Sequence, residues 1–208
     1  MDANELVQLK EAVGSPPEAA VVGSWQQVAD WFAGAAPLLE WDVVDSPLGP
    51  LYLAASNRGL CNVDFGLSEA DFSAQLDPLA RTERSPEALA SIAGQLRDYF
   101  EGSRASFDVP VDLSRVTPFQ LGVLQAVRTI PAGTVWTYGQ MARAIGKPQA
   151  SRAVGQALGR NPVPVVVPCH RVIASDGSLG GYSGGGGLAS KRLLLDLEGA
   201  LPGLGLGL

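Results

Sequence analysis

Apolar and polar positions alternate in three short runs in the first half of the chain: Trp41-Asp42-Val43-Val44-Asp45, Leu51-Tyr52-Leu53-Ala54-Ala55 and Leu60-Cys61-Asn62-Val63-Asp64-Phe65. Turn-forming segments, Ser46-Pro47-Leu48-Gly49-Pro50 and Asn57-Arg58-Gly59, separate them, so the pattern predicts an antiparallel meander. The period then lengthens. Leu89, Ile92, Leu96, Tyr99 and Phe100 recur at helical spacing behind Ser85-Pro86-Glu87, with serine as the expected cap and proline at the first helical position. Such a stripe is core and not a cofactor site.

Beyond a linker from Phe107 to Ser114, Thr117-Pro118-Phe119-Gln120 opens a further helix by the same logic, which closes at Ile130-Pro131-Ala132-Gly133. Two shorter helices, Thr137 to Ile145 and Ala150 to Arg160, flank the turn Gly146-Lys147-Pro148, which is the outline of a helix-turn-helix. In Asn161-Pro162-Val163-Pro164-Val165-Val166-Val167-Pro168-Cys169-His170 the valine run is too short for a helix and reads as a buried strand that ends at Pro168. Asp176-Gly177 marks a turn. A glycine-rich stretch, Gly180-Gly181-Tyr182-Ser183-Gly184-Gly185-Gly186-Gly187, precedes a last helix from Leu188 to Glu198. Glycine at this density lets backbone approach a flat ligand or lets a loop move, and without a following Gly-Lys-Ser/Thr it is not a phosphate loop.

The organisation expected is an N-terminal extension over 1–39, a sheet-and-helix domain over 40–113, a mostly helical domain over 114–200 and a tail over 201–208. In the extension, Ser24 is the expected cap of a short helix with Trp25, Val28, Ala29 and Phe32 on one face. The apolar, glycine-rich end from Ala200 is expected to be disordered.

Composition changes this picture little: 208 residues with 46% hydrophobic content suffice for a buried core. No apolar run is long enough to span a bilayer and the first residues are acidic, so a cytoplasmic protein with no membrane partner is expected. Charge changes it more. Met1 to Ser114 holds six basic and eighteen acidic residues, whereas Arg115 to Ser175 holds seven basic and none acidic. A net charge of -6 therefore conceals a basic segment suited to a polyanion. Within it, Arg152 near the start of the second short helix and Lys147 in the preceding turn are not placed for the helix dipole, which favours anions there.

The candidate chemistry lies in the same segment. Cys169 is followed by His170, the only histidine, and by Arg171, which adds a fixed positive charge. A free thiol is mostly protonated at neutral pH and needs a base to become a nucleophile. On a straight strand, adjacent side chains point to opposite faces, so His170 could reach the sulfur only across a bend or through a water. Two cysteines and one histidine are too few for a zinc site, so no metal or cofactor is expected. Cys61, in the third strand, reads as a small core residue.

Pro168-Cys169-His170-Arg171-Val172-Ile173, preceded by Asn161-Pro162-Val163-Pro164, resembles the active-site signature of the O6-alkylguanine-DNA alkyltransferases. The resemblance covers about residues 41 to 199 and is strongest from Thr117 to Ser183. It implies an α/β fold: a small ribonuclease-H-like sheet domain, then a mostly helical domain with a helix-turn-helix of winged-helix type.

It also implies direct, single-turnover repair of DNA. The alkyl group of O6-alkylguanine, with O4-alkylthymine as a second candidate lesion, would pass irreversibly to Cys169 of a monomer, once the base has been rotated out of the double-stranded DNA. His170 would remove the thiol proton through a water, Glu198 would orient His170, Asn161 would tie the turn after the recognition helix to the cysteine loop, and Tyr138 would help protonate the departing base. Arg152 would fill the vacated space, with Lys147 and Arg160 nearby and small Ala153, Gly155 and Ala157 allowing close approach to the minor groove. Pro164, Tyr182 and Ser183 would wall the base pocket, and backbone groups of Cys169 and Val172 would read the guanine edge.

Two departures stand out. Leu124 replaces a tryptophan common in the family, and the loop from Ser183 to Leu188 is about two glycines longer. Two other readings remain: a non-catalytic lesion sensor, which would lack Cys169, and a Cys-His hydrolase, which would turn over an amide or ester.

Overall fold

The computed structural model describes residues 36–201. The helix expected behind Ser24 lies outside the described residues. Strands β1 (Leu38–Val44), β2 (Leu51–Ser56) and β3 (Gly59–Phe65) form the expected antiparallel meander, with Val43 opposite Tyr52 and Leu53 opposite Val63. The break at Ser46 to Gly49 is a turn closed by the Gly49 N–H on the Ser46 carbonyl, with Gly49 at φ 89°.

Two further elements were not expected. Helix α1 (Glu69–Gln75) starts at Ser68, whose hydroxyl accepts the Asp71 N–H, and strand β4 (Arg81–Arg84) pairs in parallel with β1. Sheet order is β3-β2-β1-β4. β4 carries no apolar residue, so no alternation announced it; Arg84 instead pairs with Asp42 at 3.1 Å. Helix α1 explains why β2 is buried along most of its length. Leu51 and Leu53 face the main core, while Tyr52 and Ala54 face Phe72 of α1, with the Tyr52 and Phe72 rings stacked at 5.2 Å.

Helix α2 (Ala90–Phe100) begins later than expected: residues 86–89 form turns, and Ser85 supplies its carbonyl to the Leu89 N–H but no side-chain cap. Helix α3 (Pro118–Val127) starts as expected, with the Thr117 hydroxyl accepting the Gln120 N–H. Strand β5 (Trp136–Thr137), helix α4 (Tyr138–Ala144) and helix α5 (Ser151–Leu158) follow, then a 3-10 turn over Cys169–Arg171, strand β6 (Val172–Ile173) and helix α6 (Leu188–Leu197). α4 and α5 form the helix-turn-helix, and the two-residue strands β5 and β6 pair in parallel.

One hydrophobic core runs through both halves, joining Leu53, Phe65 and Leu96 to Val123, Val154, Cys169 and Leu194. Leu124 is fully buried in it. The chain end departs from expectation at its start: Ala200 and Leu201 are buried against Ile173 and Leu195, so these two residues are part of the fold.

Candidate active site

The valine run is not a strand. Residues 164–166 form a turn, Val165 takes φ 73°, and the Val167 N–H reaches back to the Val163 carbonyl at 2.9 Å. A β-branched residue in the left-handed region costs about 1–2 kcal/mol, so the surroundings must hold it there. Asn161 does so from both sides: its Nδ2 donates to the Val167 carbonyl at 2.8 Å and its Oδ1 accepts the Val163 N–H at 3.1 Å. β3 adds a brace through the Val63 N–H on the Pro162 carbonyl at 2.8 Å. The prolines that suggested a strand end are thus the frame of a buried loop.

That loop delivers Cys169 into a single 3-10 turn, in which successive side chains diverge by about 120° and are not opposed as on a straight strand. His170 is fully buried, and its Nε2 lies 3.0 Å from Glu198 Oε1 at the C-terminal cap of α6. Since a carboxylate only accepts, Nε2 carries the proton and Nδ1 is the acceptor. Nδ1 is buried with no hydrogen-bond partner among the described residues.

Arg171 does not lend its charge to the sulfur. Its Nε and Nη2 grip Glu198 Oε2 and Oε1 at 2.9 and 2.8 Å, and its Nη1 donates to the Ile130 carbonyl at 2.5 Å. Burial alone would raise the Glu198 carboxyl, but hydrogen bonds from His170 and Arg171 and their charge outweigh it and hold the pKa at about 2. Burial pushes the His170 imidazole below its ordinary value, with Glu198 opposing and Arg171 and Lys191 adding to the depression. The resting base is therefore neutral.

The cation whose charge favours the Cys169 thiolate is Lys191, fully buried on α6. Its ammonium donates to the carbonyls of Val172, Leu179 and Gly181 at 2.6, 2.5 and 3.2 Å, one acceptor for each proton. Burial pulls its pKa down to about 8, and the three carbonyls favour the charged form at neutral pH. Burial raises the Cys169 thiol, opposed first by the Asn161 amide and then by Lys191. Cys61 is half-buried on β3, and burial lifts its thiol to about 11, which leaves it unreactive.

Cys169 opens onto a pocket of about 220 Å³ lined by Tyr138, Gly155, Gly181, Tyr182 and Ser183 among others. The Tyr182 hydroxyl is buried with no partner among the described residues. Pro164 and Val172 are buried and are not among the pocket walls, contrary to expectation; the Val172 carbonyl already accepts Lys191. The Tyr138 hydroxyl sits 3.5 Å from the Gly181 carbonyl, and its ring packs over Gly155 and Gly180. A larger groove of about 380 Å³ adjoins it between Tyr138, Ser151, Arg152 and Ser175.

Arg152 and Ala153 are exposed in the first turn of α5, Gly155 is half-buried, and Ala157 is buried against the core. Ala157 is therefore a packing residue. Lys147 is exposed with its ammonium over the Phe119 ring at 5.6 Å, and Arg160 is exposed while its carbonyl accepts Gln120 Nε2 at 2.7 Å. The helix-turn-helix, the pocket and the thiol thus meet at Tyr138 and Gly155.

Two family models match consecutive parts of the chain: the ribonuclease-like domain of 6-O-methylguanine DNA methyltransferase over residues 39–113 and its DNA-binding domain over residues 118–200. The chain belongs to the 6-O-methylguanine DNA methyltransferase family. It is 43% identical over 163 residues to the methylated-DNA--protein-cysteine methyltransferase of Mycobacterium tuberculosis, covering 77% of this chain and 93% of that one. The enzyme of the same name from Salmonella typhimurium is 39% identical over 175 residues, covering 79% and 97%. A crystal structure of Mycobacterium tuberculosis OGT in complex with DNA superposes with a TM-score of 0.68 at 43% identity, covering 77% of this chain and 93% of that chain. The two-domain methyltransferase fold inferred from the sequence is the fold observed.

Two residues of the site escaped the sequence, Lys191 and Tyr99, whose hydroxyl donates to Glu198 Oε1 at 2.7 Å, as did the pairing role of Arg171. A signal for the first was present. Lys191 and Glu198 share the face of α6 that carries Leu194 and Leu195, so two charged residues sit at core spacing. Their burial has a measurable consequence in acid. The folded state binds fewer protons at Glu198 than the unfolded chain between pH 4.5 and about 2, so its contribution is present above pH 4.5 and lost as pH falls. Chemical unfolding at pH 6 and pH 3 should show wild type losing about 2 kcal/mol more than Glu198→Gln over this interval.

Proposed function

We propose that this chain repairs O6-alkylguanine in double-stranded DNA by moving the alkyl group onto Cys169 in a single, irreversible event. The observation that carries the reading is a buried cysteine, with an imidazole as the next residue, opening onto a pocket at the foot of a basic helix-turn-helix. No acidic residue lies between Arg115 and Ser175, and Arg143, Lys147, Arg152 and Arg160 are all exposed, which favours a phosphate backbone.

In this mechanism His170 takes the thiol proton at Nδ1 through a water, while Glu198 stabilises the imidazolium through Nε2. The Cys169 sulfur attacks the alkyl carbon, the carbon–O6 bond breaks, and a thioether forms. The departing guanine takes a proton from the Tyr138 hydroxyl, which is restored from the imidazolium through solvent. Asn161 positions the loop. Tyr182 and Ser183 bound the base, and the backbone of Cys169 lies along its edge. No water cleaves the thioether, so each molecule acts once.

Reaching the pocket requires rotation of the lesion out of the stack, at a cost of a few kcal/mol. Arg152 enters the space it leaves, Ala153 and Gly155 let α5 approach the minor groove, and Lys147 and Arg160 contact phosphates. Arg152→Ala should therefore slow transfer from duplex DNA by about tenfold or more while leaving reaction with a free O6-alkylguanine base unchanged. Stopped-time assays on both substrates check this; an equal loss on both contradicts the role.

The protein acts as a monomer, in the cytoplasm and on chromosomal DNA; among the described residues no helix is long and apolar enough to cross a membrane. The reading is tested by titrating a duplex carrying labelled O6-methylguanine with increasing protein. Label should move to protein one for one and stop, whereas multiple turnovers, or none, would overturn it.

A further inference from the structure

The catalytic carboxylate is not held by the helical half alone. Tyr99, on α2 of the sheet half, is 1% exposed, and its hydroxyl donates to Glu198 Oε1 at 2.7 Å. The same oxygen receives Arg171 Nη2 at 2.8 Å and His170 Nε2 at 3.0 Å. Three donors thus converge on an atom with two lone pairs, and the contact to His170 is the longest of them. Arg171 also reaches Oε2, so the guanidinium fixes the plane of the carboxylate. Tyr99 shares the oxygen that His170 needs.

We propose that Tyr99 is a positioning residue for alkyl transfer: its hydroxyl holds Glu198 in line with His170 and limits how strongly Oε1 draws the imidazole proton. The consequence is that His170 remains a free base when it must accept a proton from Cys169. Burial and the Glu198 charge keep Tyr99 protonated well above its ordinary range, so the hydroxyl stays a donor at every working pH. The charged and titratable groups around His170 are Glu198 and Lys191 from α6, Arg171 and Cys169 from its own turn and, through Glu198, Tyr99 from α2. Helix α3, also packed against this turn, carries no titratable residue.

The inference rests on the repair reading for its functional meaning, but its test does not. His170 is the only histidine in 208 residues, so its imidazole can be titrated by NMR in the full chain without assigning any other. In Tyr99→Phe the ring is kept and one donor to Oε1 is lost. That oxygen becomes a better acceptor for the Nε2 proton, and the His170 titration should move to higher pH by about half to one unit.

The acid limb of the transfer rate should move by the same amount, with the rate at pH 8 within about twofold of wild type. A His170 titration that does not move, or a variant that fails to fold below the wild-type melting temperature, would overturn the proposal and leave Tyr99 a packing residue. If wild type transfers nothing, the repair reading fails, and the NMR shift still decides the role of Tyr99.

Discussion

Cys169→Ala is expected to abolish alkyl transfer completely while the protein still folds and still binds a lesion-bearing duplex. The side chain is only 5% exposed, but it occupies the wall of a pocket, and shortening it removes one atom from the core. The expected cost is on the order of 1 kcal/mol, well within the stability of a domain of this size. The hydrogen bonds that frame the loop remain without the sulfur: Asn161 spans Val163 and Val167, and the Val63 N–H holds Pro162. Folding and chemistry are thereby separable at this position. Unfolding curves and gel-shift binding on the variant check the first half, and labelled transfer the second. A variant that could not fold would show the thiol to be structural.

Glu198→Ala should have the largest effect on stability. It strips three donors of their partner at once: Tyr99 and His170, both essentially buried, and the Arg171 guanidinium, whose side chain is 7% exposed. Removing one member of a buried ion pair typically costs 3–5 kcal/mol because the other charge stays behind without compensation. A loss of about 4 kcal/mol corresponds to a fall in melting temperature of roughly 10 °C for a chain of this length.

The double replacement Arg171→Met, Glu198→Leu removes the stranded charge as well, and it should recover much of the loss in denaturant unfolding. It should not recover transfer, because His170 would have no carboxylate to stabilise its imidazolium. Recovery of activity along with stability would show that Glu198 serves only the fold.

The sequence was most legible where one local interaction decides an outcome. Thr117-Pro118 starts α3 because a hydroxyl, a missing N–H and a fixed φ all favour a helix at that point, and no distant residue needs consulting. The family resemblance likewise paired His170 with Glu198, and the fold brings these two within 3.0 Å across 28 residues of chain. It was least legible where distant contacts override the local pattern.

Val165-Val166-Val167 has the composition of a strand, yet the side chain of Asn161 supplies the hydrogen bonds a neighbouring strand would have given, and the run folds into a turn. Ser85-Pro86 has the letters of a helix start, but β4 ends at Arg84 and the intervening turns delay α2 to Ala90. β4 itself is polar throughout and exists only because β1 offers an edge.

The missed side chains share one cause. Tyr99 lies on an apolar stripe, where its ring belongs to the core and its hydroxyl serves Glu198, and periodicity reports only the ring. Lys191 sits at core spacing on α6, where three carbonyls that no local pattern reveals satisfy its ammonium. Arg171 looked like a charge for the sulfur because it is two residues away, but Glu198 claims it. Polar groups at buried positions become interpretable only once their partners are known.

The central claim is that the thiol of Cys169 is consumed by the lesion. The most direct measurement is peptide mass spectrometry of the protein, digested after exposure to a duplex with a single O6-methylguanine. One added methyl group on the peptide containing Cys169, none on the peptide containing Cys61, and a matching amount of restored guanine in the DNA are predicted. Unchanged mass at Cys169 alongside restored guanine would contradict the account, since the alkyl group would then have left by another route.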